Sequence, residues 1–327
     1  MAYDLVNPLV IGISSRALFD LEEENKIFET QGLDKYEEYQ IAHEKDILRK
    51  GTAFQLVKAF LNLNKLQDRR LVEVIVMSRN SPNTSLRIFN SIEEYGLDIT
   101  RAALTGGAEI APYLHAFKTD LFLSANGDDV KEAIDNDVAA GMILPGAPHE
   151  DPKADLDQIR IAFDGDAVLF SPEAERIYQQ QGLEAFAESE KRNADVPLQK
   201  GPFANFLTTI GHIQHSFKDM EIAPIRTALV TSRNAPAHER AIKTLRNWNV
   251  HIDEAYFLGG VSKKEILSAF GAHIFFDDQH IHADAASEFV ASAVVPYRKG
   301  EDPRETRGTE ETEVTGGTEG TGGTSGE

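Results

Sequence analysis

The chain has no cysteine among its 327 residues. That excludes a disulfide framework and any thiolate metal site. No apolar run is long enough to span a bilayer. The opening residues, Met1 to Pro8, lack the basic region and apolar stretch of a secretory leader, so a cytoplasmic protein is expected. Cations are scarce too. Only 33 Lys and Arg face 53 Asp and Glu, a formal charge of −20. From Glu301 onward eight acids against two arginines supply −6, which leaves −14 for the rest. Such a field disfavours nucleic-acid backbones, which need clustered Lys and Arg. It would also repel a phosphate ester, so a phosphate site here needs local cations or a bound metal. No Gly-x-Gly-x-x-Gly or Walker-type loop is present, which argues against a kinase or a dinucleotide enzyme.

Four short segments stand out against these absences. Residues 161–171 form an apolar run that ends in Asp164, with Gly165 and Asp166 next. A buried parallel strand reads as such a run, and ligands in open α/β sheets bind beyond the carboxyl ends of strands. Gly165 lets backbone approach a ligand closely. Paired carboxylates in that place suit a hard divalent cation such as Mg²⁺ with a phosphate as its other partner. An ordinary Asp-Gly turn would leave the same trace. Further on, residues 228–233 are apolar and end in Thr231, Ser232 and Arg233. Residues 259–264 place Lys263 and Lys264 after a glycine turn. Residues 273–279 are apolar and end in the pair Asp277 and Asp278.

The order Asp-x-Asp, Thr/Ser, Lys, Asp-Asp resembles the haloacid dehalogenase superfamily of phosphotransferases. Within it, the chain resembles the type I cytosolic 5′-nucleotidase family. The likeness is carried by Ile-Ser-Ser-Arg-Ala-Leu-Phe at 13–19, Ala-Phe-Asp-Gly-Asp-Ala-Val-Leu-Phe-Ser at 162–171, Ile-Lys-Thr-Leu-Arg at 242–246 and His-Ile-Phe-Phe-Asp-Asp-Gln at 273–279. It runs from about residue 8 to about residue 298.

The chain also repeats itself at an offset of about 150. Gln31-Gly32-Leu33 falls on Gln181-Gly182-Leu183, and Lys50-Gly51 on Lys200-Gly201. Ser78-Arg79-Asn80 falls on Ser232-Arg233-Asn234 at a slightly larger shift. A period this long indicates duplicated domains rather than a solenoid. The expected architecture is α/β, with two Rossmann-like halves. Residues 1–150 form a degenerate half, residues 151–299 a catalytic half, and 300–327 a disordered tail of Gly, Thr and Glu.

Strands are expected near 159–164, 225–231, 254–258, 273–277 and 291–295, and near 8–14, 72–78, 101–104, 119–124 and 139–144. Helices are expected near 172–181, 183–192, 202–217, 236–248, 262–270 and 282–289. The stretch 172–200 is too long for a simple connection, and in this superfamily an insertion there caps the site. Phe170 just before it and its Tyr178, Phe186, Glu190, Lys191, Arg192 and Asn193 suffice to stack on a base and bond a ribose.

The resemblance implies roles. Asp164 is the nucleophile, and Asp166 the general acid and then base. Mg²⁺ is held by Asp164, the carbonyl of Asp166 and the Asp277/Asp278 pair, with the direct ligand of that pair left open. Thr231 bonds the phosphate beside Gly165, with Ser232 as its alternative. Lys263 neutralises phosphate and nucleophile, with Lys264 as its competitor. His280 and His282 read better as the start of a helix than as metal ligands.

In the first half Ser14 and Arg16 stand where Asp164 and Asp166 stand, and Ser124 and Ala125 where Asp277 and Asp278 stand. That half lacks a catalyst. Ser14, Arg16, Ser78 and Arg79 still make a candidate anion pocket, alongside the plainer reading of a structural partner. Family members respond to adenine nucleotides such as ADP, so an ADP-like effector is the expected occupant. The leading expectation is a Mg²⁺-dependent nucleotidase acting on a nucleoside monophosphate. A phosphatase of another small ester and a nucleotide-sensing protein are the alternatives. Assembly as a homo-oligomer is left open by the sequence.

Overall fold

A computed structural model describes Leu5, residues 7–146 and residues 158–304. Among the described residues twelve strands follow in chain order: β1 (Leu9–Ile13), β2 (Phe19–Asp20), β3 (Arg49–Lys50), β4 (Val72–Ser78), β5 (Arg101–Leu104), β6 (Leu121–Ser124), β7 (Ala139–Ile143), β8 (Ile159–Phe163), β9 (Ile225–Thr231), β10 (Glu254–Phe257), β11 (Ile274–Asp277) and β12 (Ser292–Val294). Ten of them form one sheet in the order β10-β9-β8-β11-β12-β7-β6-β1-β4-β5, and β2 pairs with β3 apart from it. Every pairing in the large sheet is parallel except β12 with β7. The protein is therefore α/β, with helices connecting successive parallel strands.

The central strands are buried on both faces, which is why they read as unbroken apolar runs. All seven residues of β4, Val-Glu-Val-Ile-Val-Met-Ser, are buried. The one charge in it, Glu73, is held by Arg70 at 2.6 Å and Arg101 at 2.5 Å. The expected ranges for β4, β5 and β9 coincide with the observed ones, and the other sheet strands lie within a residue or two of theirs. The helix Glu173–Arg192 is broken at Gly182, whose φ of 83° suits glycine, so it is the expected pair of helices. The β2–β3 pair was not foreseen.

Read outward from the β12–β7 junction, the two wings run β12-β11-β8-β9-β10 and β7-β6-β1-β4-β5. Several local devices recur at offsets of 150 to 153 residues. Gly32 has φ 84° where Gly182 has φ 83°. Arg87 Nε donates to Asp46 O and Arg240 Nε to Val196 O, each at 2.9 Å. Leu48 N donates to Ser91 Oγ at 3.0 Å, and Leu198 N to Thr244 Oγ1 at 2.9 Å. Gly51 and Gly201 both press against backbone, with no room for a Cβ.

The floor of the second wing is aromatic. Phe163, Phe203, Phe206 and Phe276 are fully buried and form one connected cluster, with Phe163 and Phe276 stacked at 5.7 Å. Burying each contributes about 1.5–3 kcal/mol relative to exposure. This packing fixes the ends of β8 and β11, from which the acidic residues project.

The expected disordered tail needs one correction. Residues 300–304 are placed: Arg176 Nη2 donates to Glu301 O at 3.0 Å, and Pro303 is buried. Two chain segments distant in sequence meet there, which composition does not register. Residues 305–327 lie outside the described residues, as do 147–157 at the expected boundary between the halves.

Candidate active site

β8, β9 and β11 are neighbours in the sheet, so their carboxyl ends open on one place. Asp164 follows β8 directly, and its backbone N donates to Phe276 O on β11 at 2.8 Å. Asp164 is buried, at 6% exposure. Lys263 opens the helix Lys263–Phe270, which Ser262 caps by accepting from Lys264 N. That start aims Lys263 inward. Its Nζ lies 2.5 Å from Asp164 Oδ1 and 2.6 Å from Asp277 Oδ2. Lys264 points elsewhere: it is exposed, with Nζ 3.8 Å from the Phe289 ring centroid.

Thr231, the last residue of β9, is 1% exposed, whereas Ser232 is exposed. A Cβ on Gly165 would stand 3.2 Å from Thr231 Oγ1, so the missing side chain is what lets this turn and this hydroxyl approach. Of each pair of alternatives, Lys263 meets Asp164 and Thr231 lies against Gly165, whereas Lys264 and Ser232 are exposed.

The acidic cluster is short of positive charge. Burial pushes the Asp164 carboxyl up to about 7; Lys263 opposes the rise, and Asp277 and Asp166 add to it. Asp278 is raised well above the carboxylate range by burial and by repulsion from Asp164 and Asp277. Burial works against ionisation of Asp277 too, yet Lys263 and His282 hold it below the usual range. Burial would lower Lys263, but Asp164 and Asp277 raise it. Both oxygens of Asp277 are occupied, Oδ2 by Lys263 and Oδ1 by Gln279 N at 2.9 Å. Tyr297 Oη donates to Asp278 Oδ2.

Asp166 has a partner that the sequence reading passed over. Arg233 grips it through Nε to Oδ2 at 2.8 Å and Nη2 to Oδ1 at 2.6 Å. Nη1 of the same guanidinium pairs with Glu190, and Arg240 meets the other Glu190 oxygen at 2.7 Å. Arg233, Glu190 and Arg240 are all buried. Glu190 was expected to face a ligand and instead lies between two arginines. Phe170 is likewise fully buried, with Arg233 over its ring at 5.6 Å. In the sequence Arg233 stands out only as the end of the run 228–233 and in the Ser-Arg-Asn repeat.

A hard divalent cation suits the chemistry of this cluster. Its side-chain donors are oxygens, three buried carboxylates lie about one lysine, and two of them are pushed toward protonation by burial and by repulsion from their neighbours. Among the described residues no three His, Asp or Glu side chains already converge on one ion position. The oxygens that could hold it belong to Asp164, Asp278 and the backbone carbonyl of Asp166, while both oxygens of Asp277 are engaged by Lys263 and Gln279.

In the first wing Ser14, Arg16, Ser78 and Arg79 line one cavity of about 520 Å³. Its cations are already matched. Arg16 Nε and Nη2 each lie 2.9 Å from a Glu22 oxygen, and Arg79 Nε lies 2.6 Å from Asp129 Oδ1. Composition alone could not reveal those partners.

A family model for 5′-nucleotidases matches residues 1–302. The chain is 39% identical over 303 residues to human cytosolic 5′-nucleotidase 1B, a match covering 90% of this chain and 49% of that protein. The chain thus spans about half the length of this curated relative. No solved structure matches it. No helix among the described residues is long and apolar enough to cross a membrane. A family match over nearly the whole chain, together with this relative, makes the protein a member of the 5′-nucleotidase family.

Proposed function

We propose that the chain hydrolyses nucleoside 5′-monophosphates to nucleoside and phosphate through a phosphorylated Asp164. The observation that carries this reading is Lys263 bridging Asp164 and Asp277 at the sheet end, with Thr231 beside Gly165. One Asp164 oxygen attacks phosphorus in line, and the bond from phosphorus to the ribose 5′-oxygen breaks. Asp166 supplies the proton to that leaving oxygen. Water then attacks phosphorus and gives its proton to Asp166, and the bond to Asp164 breaks. Thr231 donates to a phosphate oxygen, and Lys263 offsets the charge on both reactants. A Mg²⁺ ion held by Asp164, Asp278 and the Asp166 carbonyl would supply Lewis-acid neutralisation of the phosphate.

Asp166 as it stands has both oxygens engaged by Arg233. Proton transfer therefore requires it to turn out of that grip. Arg233 sets where Asp166 starts and, through Glu190, ties it to the helix Glu173–Arg192. We further infer that this helix and the segment to residue 200 cap the site. The recurrent devices support a duplication, with residues 1–150 as a degenerate copy of 151–299. A cytosolic location accords with the name of the human relative.

The test is phosphate release from a panel of nucleoside 5′-monophosphates and sugar phosphates, with Mg²⁺ and with EDTA. Turnover of nucleotides that EDTA abolishes and Mg²⁺ restores is expected. Release from sugar phosphates alone, or full activity in EDTA, would overturn the reading.

A further inference from the structure

We propose that the cavity of the first wing is a second, non-catalytic site that binds the nucleoside part of its ligand rather than a phosphate. The cavity, about 520 Å³, opens at the carboxyl ends of β1, β4 and β6, the counterpart of the place where β8, β9 and β11 present Asp164. Such a volume falls in the range of small-molecule sites.

Its walls argue against an anion. There is no counterpart of Lys263: allowing for the repeat offset, the apolar Ile110 and Ala111 stand there. Arg16 is paired with Glu22, and Arg79 with Asp129 and, at 3.6 Å, Glu132. Glu37 adds a further carboxylate to the lining. A phosphate would have to displace a carboxylate already in place.

The same walls suit a flat, neutral heterocycle. Phe28 and Tyr36 line the cavity as a T-shaped pair with centroids 5.9 Å apart. Phe28 is 48% exposed, so its face is available for stacking. Tyr36 Oη accepts from Gln40 Nε2 at 3.0 Å and so must spend its own proton on Asn80 Oδ1 at 3.2 Å. That fixes the Asn80 amide with Nδ2 turned away from Tyr36, and Nδ2 is buried with no hydrogen-bond partner. A buried donor without a partner is costly, and Asn80 lines the cavity, so a small turn of its side chain would offer Nδ2 to a ring nitrogen, carbonyl or ribose oxygen. Aromatic stacking plus one amide donor, with hydroxyls from Ser14 and Ser78 nearby, recognises a nucleoside.

The second wing has a matching T-shaped pair, Tyr178 and Phe186 at 6.3 Å, each 150 residues beyond Phe28 and Tyr36. That pairing makes the test selective. Calorimetry on the full chain in EDTA would titrate adenosine, uridine and ribose 5-phosphate into wild type, Phe28→Ala and Tyr178→Ala. Both substituted side chains are 48% exposed, so the fold should survive. The expected result is one nucleoside bound per chain, weakened about tenfold or more by Phe28→Ala and unchanged by Tyr178→Ala, with ribose 5-phosphate failing to bind. Nucleoside binding lost in Tyr178→Ala but kept in Phe28→Ala would overturn the proposal. So would ribose 5-phosphate binding that Phe28→Ala weakens, or no nucleoside binding at all. None of these outcomes depends on turnover, so the hydrolase reading stands or falls separately.

Discussion

Arg233 holds Asp166 with two hydrogen bonds, at 2.8 and 2.6 Å, while its remaining nitrogen reaches Glu190. A single guanidinium thus connects the proposed proton donor to a helix whose midpoint is broken at Gly182. Lysine keeps the charge but cannot reproduce a planar two-point grip. Arg233→Lys should therefore lower kcat by about tenfold to a hundredfold and leave KM nearly unchanged. The loss should shrink on p-nitrophenyl phosphate, whose leaving group needs little protonation. An equal loss on both substrates would reduce Arg233 to a structural role.

Glu190 lies buried between Arg233 and Arg240. Replacing one member of a buried ion network leaves the others uncompensated, at a cost of roughly 3–5 kcal/mol. Glu190→Gln should lower the unfolding free energy from urea denaturation by an amount in that range. A change within experimental error would mean that water or another carboxylate already serves the two arginines.

The pH dependence follows from Asp164. Its folded pKa, about 7, lies above the value of 3.8 for an unperturbed group. Such a carboxyl favours the folded state below the unfolded value, and that contribution is lost as pH rises through the folded one. Asp278 shifts in the same direction. Asp164→Asn removes the first of these titrations. In EDTA its Tm should gain on that of wild type as pH is raised from about 5 to about 8. A Tm difference that stays flat across that range would show that Asp164 is not crowded as described.

Two glycines should respond in opposite ways to alanine. A Cβ at Gly201 would stand 2.5 Å from both Val168 O and Phe170 O, and carbonyl oxygens cannot swing aside as a side chain can. Gly201→Ala should destabilise by about 3 kcal/mol or more. Gly211, inside the helix Ala204–Ser216, has nothing within 4 Å of its Cβ position. Gly211→Ala should stabilise by up to about 1 kcal/mol. Thermal melts of the two variants check both signs, and a stable Gly201→Ala would contradict the packing.

The strands were legible because a strand buried on both faces leaves an unbroken apolar run, as Val72–Ser78 and Ile225–Thr231 do. Asp164 and Asp277 were legible because each marks where such a run stops. The choice between Thr231 and Ser232 needed coordinates, since both hydroxyls lie at the same strand end and only burial separates them. The Arg233–Glu190 pair spans 43 residues and leaves no local pattern. The carboxylates that neutralise Arg16 and Arg79 were hidden too, because the sequence shows a charge but not the direction its side chain takes. The antiparallel join of β12 to β7 links strands about 150 residues apart, beyond the reach of any periodicity.

The central claim is that Asp164 carries the phosphoryl group. Enzyme turning over AMP with Mg²⁺ can be quenched in acid and its peptides mapped by mass. The account predicts one added phosphoryl group, on the peptide containing Asp164, absent from Asp164→Asn, with turnover by that variant down at least about 10⁴-fold. A phosphoryl group on another residue, or an Asp164→Asn variant that still hydrolyses AMP at the wild-type rate, would contradict it.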